Sequence, residues 1–448
     1  MNRTGNRSTI LCILALAAAV RIAAVTVYAD RLDEDPDGYR GIAARMTAGE
    51  GYSVPSTGAP TAYRPPLYPI LLRFLMATGT EDRTIGVVHV VFGTLTVWLA
   101  IVCSRQIGCG SAAWLAGLFV ALDPLLIVYS TQVMSETTAA FSVTLLLVTL
   151  CSLNAPSTVT QTAIDDELSP RRGWWLPQFV RRRVFRATCA GIVFGLCVLC
   201  RPSLWAAAGA CIPLALIRHW RPNDVSFTNR QVIRDLIPFA TGTAVTVMPW
   251  IVRNWLVFGQ LIVATTHGGY TLLLANNPVF YEEVVSAPFG TVWKGESLAR
   301  WQHSIDQQMA RDGIRGDETR RDRWMYRRAF ETIANSPSLF VRSCVHRFVR
   351  FWNVIPMGAA RSQQPTILVA ASAAFYCVVV AGVVLFVLRR PGDRHHAQFL
   401  IVAIASLSLV HTVFWCNARM RAPVIPVIAV IAARGWIGNR MPISTKSA

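Results

Sequence analysis

TILVAASAAFYCVVVAGVVLFVL, residues 366–388, contains no charged side chain and no proline. About 20 consecutive apolar residues are what a helix needs to cross a hydrocarbon core. The stretch carries no polar stripe, so it does not read as an amphipathic surface helix. Further long apolar runs occupy 85–103, 111–132 (which holds Asp123-Pro124) and 397–415. The composition agrees: of 448 residues, 53% are hydrophobic and 15% charged, too little charge to cover a soluble protein of that size. These runs predict an all-α polytopic membrane protein.

The net charge of +18 raises the question of a nucleic-acid partner. The arginines answer it by where they fall. Arg3 and Arg7, Arg105, Arg171 to Arg186, Arg218 to Arg234 and Arg389 to Arg394 lie in short connectors between apolar runs. That is the positive-inside pattern of cytoplasmic loops, and no nucleic acid is expected. Most cysteines (Cys12, Cys151, Cys189, Cys197, Cys200, Cys211, Cys377) sit inside apolar runs, where they act as small hydrophobes. Neither a disulfide framework nor a zinc site is expected from them. The basic stretch Met1 to Ser8 and the run after it resemble a signal peptide, but Arg21 divides the run. A retained first spanning helix is the better reading.

With the basic connectors as cytoplasmic markers, the sequence predicts about ten transmembrane helices and cytoplasmic termini in a cell membrane. They cover 9–29, 85–103, 111–132, 136–153, 188–201, 203–217, 236–256, 366–388, 397–415 and 424–436. This gives an N-terminal catalytic module over 1–256 with a first outer loop at 30–84, an extracytoplasmic region over 257–365, and C-terminal helices over 366–448. Within the second region, Pro337 to Trp352 reads as a basic amphipathic helix lying in the interface. Leu339, Phe340, Cys344, Phe348, Phe351 and Trp352 oppose Arg342, Arg347 and Arg350.

Chemistry concentrates at the outer ends of these helices. The first outer loop holds Asp33-Glu34-Asp35-Pro36-Asp37-Gly38-Tyr39. Carboxylates beside a membrane surface suit a general base, and equally suit the first turn of the helix that follows. Tyr63-Arg64-Pro65-Pro66-Leu67-Tyr68-Pro69 holds Arg64 on a stiff, proline-fixed segment where it can meet a phosphate or anchor an interface. Glu136 follows Ser135 at the start of a helix, where capping competes with a functional role. Asp123 lies at membrane depth, which marks a functional candidate, although Asp123-Pro124 is also a helix break. Arg201, Arg253, Arg419 and Arg421 recur at outer helix ends. Singly, each snorkels to headgroups; returning to one face with Arg64, they form a cationic pocket for a lipid phosphate.

In this order the motifs resemble the C-type glycosyltransferase superfamily, in particular its protein O-mannosyltransferase and lipid A aminoarabinose-transferase branch. The resemblance runs from Asp35 to Tyr39 through Gly49-Glu50-Gly51-Tyr52, Arg64 to Pro69, Met134-Ser135-Glu136-Thr137, Leu199-Cys200-Arg201-Pro202, Pro249-Trp250 to Arg253-Asn254, Gly268-Gly269-Tyr270, Asn276-Asn277-Pro278 and Arg419 to Pro423. It implies inverting transfer of a sugar from a polyprenyl-phosphate donor to a lipid, glycan or protein hydroxyl. Asp35 would act as base, with Asp37 able to share the role because Pro36 stands where many relatives have glutamate. Glu136 would position a substrate. Arg64, Tyr68, Arg201, Arg253, Arg419 and Arg421 would hold the donor phosphate. No cofactor is implied, since the lipid-linked sugar is itself the substrate. A transporter or flippase for a lipid-linked or polar solute is the competing reading; it calls for ionisable groups at the midplane and internal repeats.

Overall fold

The apolar runs fold as helices in the computed structural model, which describes residues 3–76, 81–154, 183–211, 229–314, 316–355, 365–389 and 394–438. The chain is an all-α polytopic membrane protein. Among the described residues, seven helices are long and apolar enough to cross a bilayer. They are α1 (Arg3–Val27), α4 (Glu81–Gln106), α7 (Glu136–Asn154), α8 (Arg183–Cys200), α9 (Asn229–Phe258), α14 (Thr366–Arg389) and α16 (Ile425–Ile437, with the 3-10 turn before it). Shorter apolar segments accompany them at Gly110–Leu122 and Phe399–Val413, the latter within α15 (Arg394–Val413). Residues 205–211 begin the helix expected over 203–217, whose remainder lies outside the described residues. The basic connectors at 155–182, 212–228 and 390–393 also lie outside them.

Helix α16 is the axle of the bundle. Every residue from Ile425 to Ala433 is buried, against α4, α14 and α5 (Trp114–Leu122). Gly435 and Gly382 let α16 and α14 touch backbone to backbone: a Cβ on Gly435 would stand 1.8 Å from the Gly382 carbonyl oxygen. Helices in lipid associate through such small residues because burying apolar surface there gains nothing.

Two ionisable groups at membrane depth serve helix ends. The run expected over 111–132 breaks at Asp123, whose carboxylate caps α6 (Pro124–Tyr129) by accepting from Leu126 N at 3.0 Å. The break opens carbonyls at the end of α5, and the guanidinium of Arg21 donates to Val120 O at 3.1 Å and Ala121 O at 3.3 Å. The residue that divides the first apolar run therefore satisfies carbonyls that lipid could not.

At one end of the bundle, α2 (Tyr39–Thr47) and α3 (Leu67–Met76) lie in the first loop. The second loop region holds α10 (Gly268–Ala275), α11 (Gly295–Arg311), α12 (Glu318–Asn335) and α13 (Pro337–Phe351) around a core that includes Leu272, Phe280, Trp293, Trp301, Trp324 and Met325. Helix α13 forms as expected, and Leu339, Phe340, Phe351 and Trp352 pack inward while Arg342 is exposed, but two arginines and Phe348 depart from the expected faces. Arg347 and Arg350 are buried, whereas Val341, Val345, Phe348 and Val349 are exposed. The cause is backbone supply: Arg347 donates to Ala275 O and Thr412 O at the ends of α10 and α15, and Arg350 to Thr291 O. Buried carbonyls without partners are costly enough to draw the two guanidiniums inward. The outward apolar stripe is then what faces lipid in an interfacial helix.

Candidate functional site

Five charged side chains from distant parts of the chain meet at the loop end of the bundle. Asp37 precedes Gly38, whose φ of +73° is a left-handed turn that a glycine adopts without strain. Arg64 ends the stiff segment before α3, its carbonyl held by the Tyr52 hydroxyl at 2.9 Å. Glu136 opens α7, Arg201 follows the last turn of α8 in extended backbone, and Arg419 lies in the 3-10 turn Ala418–Val424.

Their contacts form one line. Arg64 pairs with Asp37 Oδ1 at 3.3 Å, and Arg419 reaches Asp37 Oδ2. The same Arg419 donates its Nε–H to Glu136 Oε1, which also takes the Arg201 guanidinium. The Glu136 side chain is fully buried, and its Oε2 has no partner. The carboxylate has thus turned to the arginines rather than to the amides of its own helix. Three guanidiniums against two carboxylates leave one positive charge in excess. Burial raises the pKa of the Asp37 carboxyl, but Arg419, Arg64 and Arg201 outweigh it, so it titrates below its ordinary range.

Four other residues expected at the site have different partners. Asp35 is half-buried and caps α2, accepting from Arg40 N at 3.1 Å and Gly41 N at 2.9 Å. Its neighbourhood to Asp37 lets it set the turn that aims that carboxylate. Tyr68 is buried, its hydroxyl 3.0 Å from His89 Nε2, and packs edge-on to Tyr39. Arg253 donates to Thr61 O and Tyr52 O, both at 2.7 Å, pinning the first loop from α9. Arg421 lies over the Tyr376 ring and donates to Phe351 O and Asn353 O, pointing away from Arg419. The structure brings Asp37, Arg64, Glu136, Arg201 and Arg419 together, while Asp35, Tyr68, Arg253 and Arg421 engage other partners.

Other residues flank the cluster without having been singled out from the sequence. His267 packs against Tyr63 with ring centres 4.2 Å apart, and its Nδ1 is buried without a partner. Burial, with Arg64 adding to it, lowers its pKa to about 3, so the imidazole is neutral at physiological pH. Glu318 and Asp322 face the loops from α12. Asp322 accepts from Gly269 N at 2.7 Å, and a Cβ on Gly269 would stand 2.2 Å from the Asp322 carbonyl oxygen. That close approach is why a glycine stands there. Glu318 follows Asp317, the cap of α12, so in the sequence it reads as an ordinary acidic first turn.

Asp322 supplies a pH prediction. Burial raises its pKa to about 6, against the ordinary 3.8, so the folded protein holds a proton there that the unfolded chain has already lost. Stability therefore falls as pH rises from about 4 to about 6, and the cost is present in full above that window. Asp322→Asn keeps an acceptor for Gly269 and removes the charge. Thermal unfolding across pH 4–8 is expected to show the variant more stable than wild type at pH 8, with the gap closing toward pH 4.

No protein-family model and no curated protein matches the sequence. Solved structures do match. An oligosaccharyltransferase of Archaeoglobus fulgidus, tethered to an acceptor peptide containing the NVT sequon, superposes with a TM-score of 0.52 at 15% identity over 95% of this chain and 49% of that one. The apo form of that enzyme gives 0.47 at 14% identity, over 94% and 50%. The archaeal oligosaccharyltransferase AglB from the same organism, bound to an inhibitory peptide and a dolichol-phosphate, gives 0.46 at 14% identity, again over 94% and 50%. The first of these carries the assignment of fold, and this chain spans about half the length of the proteins it matches. The fold is shared with that first oligosaccharyltransferase.

Proposed function

We propose that this protein is an inverting glycosyltransferase that moves a sugar from a polyprenyl-phosphate donor to a hydroxyl acceptor at the outer face of the cell membrane. The observation that carries the proposal is the half-buried line Arg64–Asp37–Arg419–Glu136–Arg201, with its one excess positive charge. A phosphate monoester or diester bound there meets guanidiniums from three separate segments. The fold shared with the oligosaccharyltransferase supports the reading.

In the transfer, the acceptor oxygen bonds to the anomeric carbon as the bond from that carbon to the phosphate oxygen breaks. The acceptor proton passes to Asp37, and the leaving polyprenyl phosphate gains a negative charge. Arg64, Arg201 and Arg419 stabilise that charge as it develops, in a half-buried site where water screens it less than at an open surface. Asp37 is ionised throughout the physiological range, because the arginines lower its pKa, and is therefore ready to receive the proton. Asp35 keeps it aimed by holding the start of α2. Glu136 Oε2 is an acceptor for a hydroxyl of donor or acceptor. The transport reading rests on ionisable groups at membrane depth, and Arg21 and Asp123 are engaged there with helix ends.

The test uses the purified protein in lipid nanodiscs with labelled polyprenyl-phosphate sugars and candidate lipid, glycan and peptide acceptors. Transfer with inversion at the anomeric carbon and release of polyprenyl phosphate is the expected result. Retention of configuration would overturn the single-displacement mechanism. Movement of the intact lipid-linked sugar between leaflets without transfer would establish the transport reading instead.

A further inference from the structure

Glu318 lies on α12, in the second loop region, yet its carboxylate is the joint between two loops that wall the ionic cluster. Oε2 accepts from the Thr61 hydroxyl at 2.6 Å. Oε1 accepts from Ala62 N at 2.8 Å and from the Thr266 hydroxyl. The joint continues in both directions. Thr61 Oγ1 accepts in turn from Tyr63 N at 2.9 Å, which brings the order of the knot to the residue beside Arg64. Thr266 N donates to Ala62 O at 3.1 Å, and the next residue is His267, packed on Tyr63. Thr61, Ala62 and Thr266 are all buried. A carboxylate accepting three donors in such surroundings makes bonds about twice as strong as neutral ones. One turn further along α12, Asp322 holds Gly269 N.

We infer that Glu318 is a positioning residue of the proposed transfer: it hangs the Arg64 segment and the His267 segment from α12, so that the second loop region sets where Arg64 stands. The inference rests on the function proposed above only for its kinetic consequence. The joint itself is a property of the fold. Glu318 touches no group of the ionic line, and its effect passes through Thr61, Ala62 and Tyr63 to Arg64. Misplacing a group that stabilises a transition state by about 1 Å costs on the order of 10²-fold in rate.

Two readouts separate the joint from the reaction. Hydrogen exchange on the full chain in nanodiscs, wild type against Glu318→Ala, is expected to quicken at both 61–64 and 266–269 while α12 stays protected. Unchanged exchange at either loop would overturn the inference, whatever the activity of the protein. Transfer kinetics then test the consequence. Glu318→Ala is expected to raise KM for the polyprenyl-phosphate sugar and to lower kcat, together about 10²-fold in kcat/KM. Glu318→Gln, which keeps one accepting oxygen, should recover part of it. Combined with Arg64→Ala, Glu318→Ala should add little, because its effect passes through that arginine. Fully additive losses would show that Glu318 acts by another route. If wild type transfers no sugar at all, the function proposed above fails while the exchange experiment still decides the joint.

Discussion

Asp37→Asn should lower the rate of sugar transfer by about 10²- to 10⁴-fold, the span over which a positioned general base contributes, while the protein remains folded. The amide has the shape of the carboxylate and keeps one acceptor oxygen, so the turn at Gly38 and the approach of Arg64 survive. What it loses is the capacity to take the acceptor proton and one negative charge of the cluster. The loss of rate should therefore lie in kcat, while KM for the donor should drop, because the phosphate then meets three guanidiniums against one carboxylate. A second consequence concerns pH. Because Arg419, Arg64 and Arg201 lower the Asp37 pKa below the ordinary carboxylate range, wild type should show no acid limb from this group between pH 5 and 8. Asp35→Asn supplies the contrast. Both of its oxygens accept backbone amides, so an amide NH2 there faces another donor and weakens the cap of α2 by about 1 kcal/mol. A modest loss with lowered thermal stability is expected. If Asp35→Asn instead abolished transfer at unchanged stability, the base would be Asp35, and Asp37 would serve only to orient the arginines.

How much of this was legible in the residues differs between fold and site. Charge-free runs such as 366–388 have one physical outcome, because an unpaired backbone in lipid is prohibitively costly. The helices follow from composition alone. The break at Asp123-Pro124 was legible too, from the fixed φ of proline and the capping habit of aspartate. The site was legible as a set of residue types returning to one membrane face, and five of the nine expected residues do converge. What could not be read was the sorting among arginines. Arg419 and Arg421 are two residues apart in one turn, yet one meets Glu136 and Asp37 while the other meets Phe351 O and Asn353 O. A guanidinium satisfies carboxylates and carbonyls equally well, so its partner depends on which helix ends cross nearby. The same holds for Arg347, whose place on an apparently polar face gave no sign of the open carbonyls of α10 and α15. Glu318 was hidden for a different reason, since an acid after an N-cap aspartate is explained without any tertiary partner.

Glu136 carries the other large effect, and here stability and catalysis part company. Its Oε1 is the common acceptor of Arg201 and Arg419 in a place that water does not reach. Glu136→Ala leaves two half-buried guanidiniums without that partner, and breaking a pair whose acid is fully buried costs about 3 kcal/mol, the lower end for buried pairs. A large fall in melting temperature and loss of transfer are both expected, which alone would not separate a structural role from a functional one. Glu136→Gln separates them. The amide keeps the volume and one acceptor oxygen, so most of the fold survives, but the cluster now holds three guanidiniums against one carboxylate. A polyprenyl phosphate then meets a larger positive excess and should bind more tightly than to wild type. Tighter binding of the leaving group is uniform stabilisation: it deepens the bound state without lowering the barrier, and slows release. The expected signature is a lower KM for the donor, a kcat reduced by about 10²-fold as the arginines lose their alignment, and stronger inhibition by added polyprenyl phosphate. A higher KM with kcat unchanged would instead make Glu136 a binding contact and remove it from the alignment of the charged line.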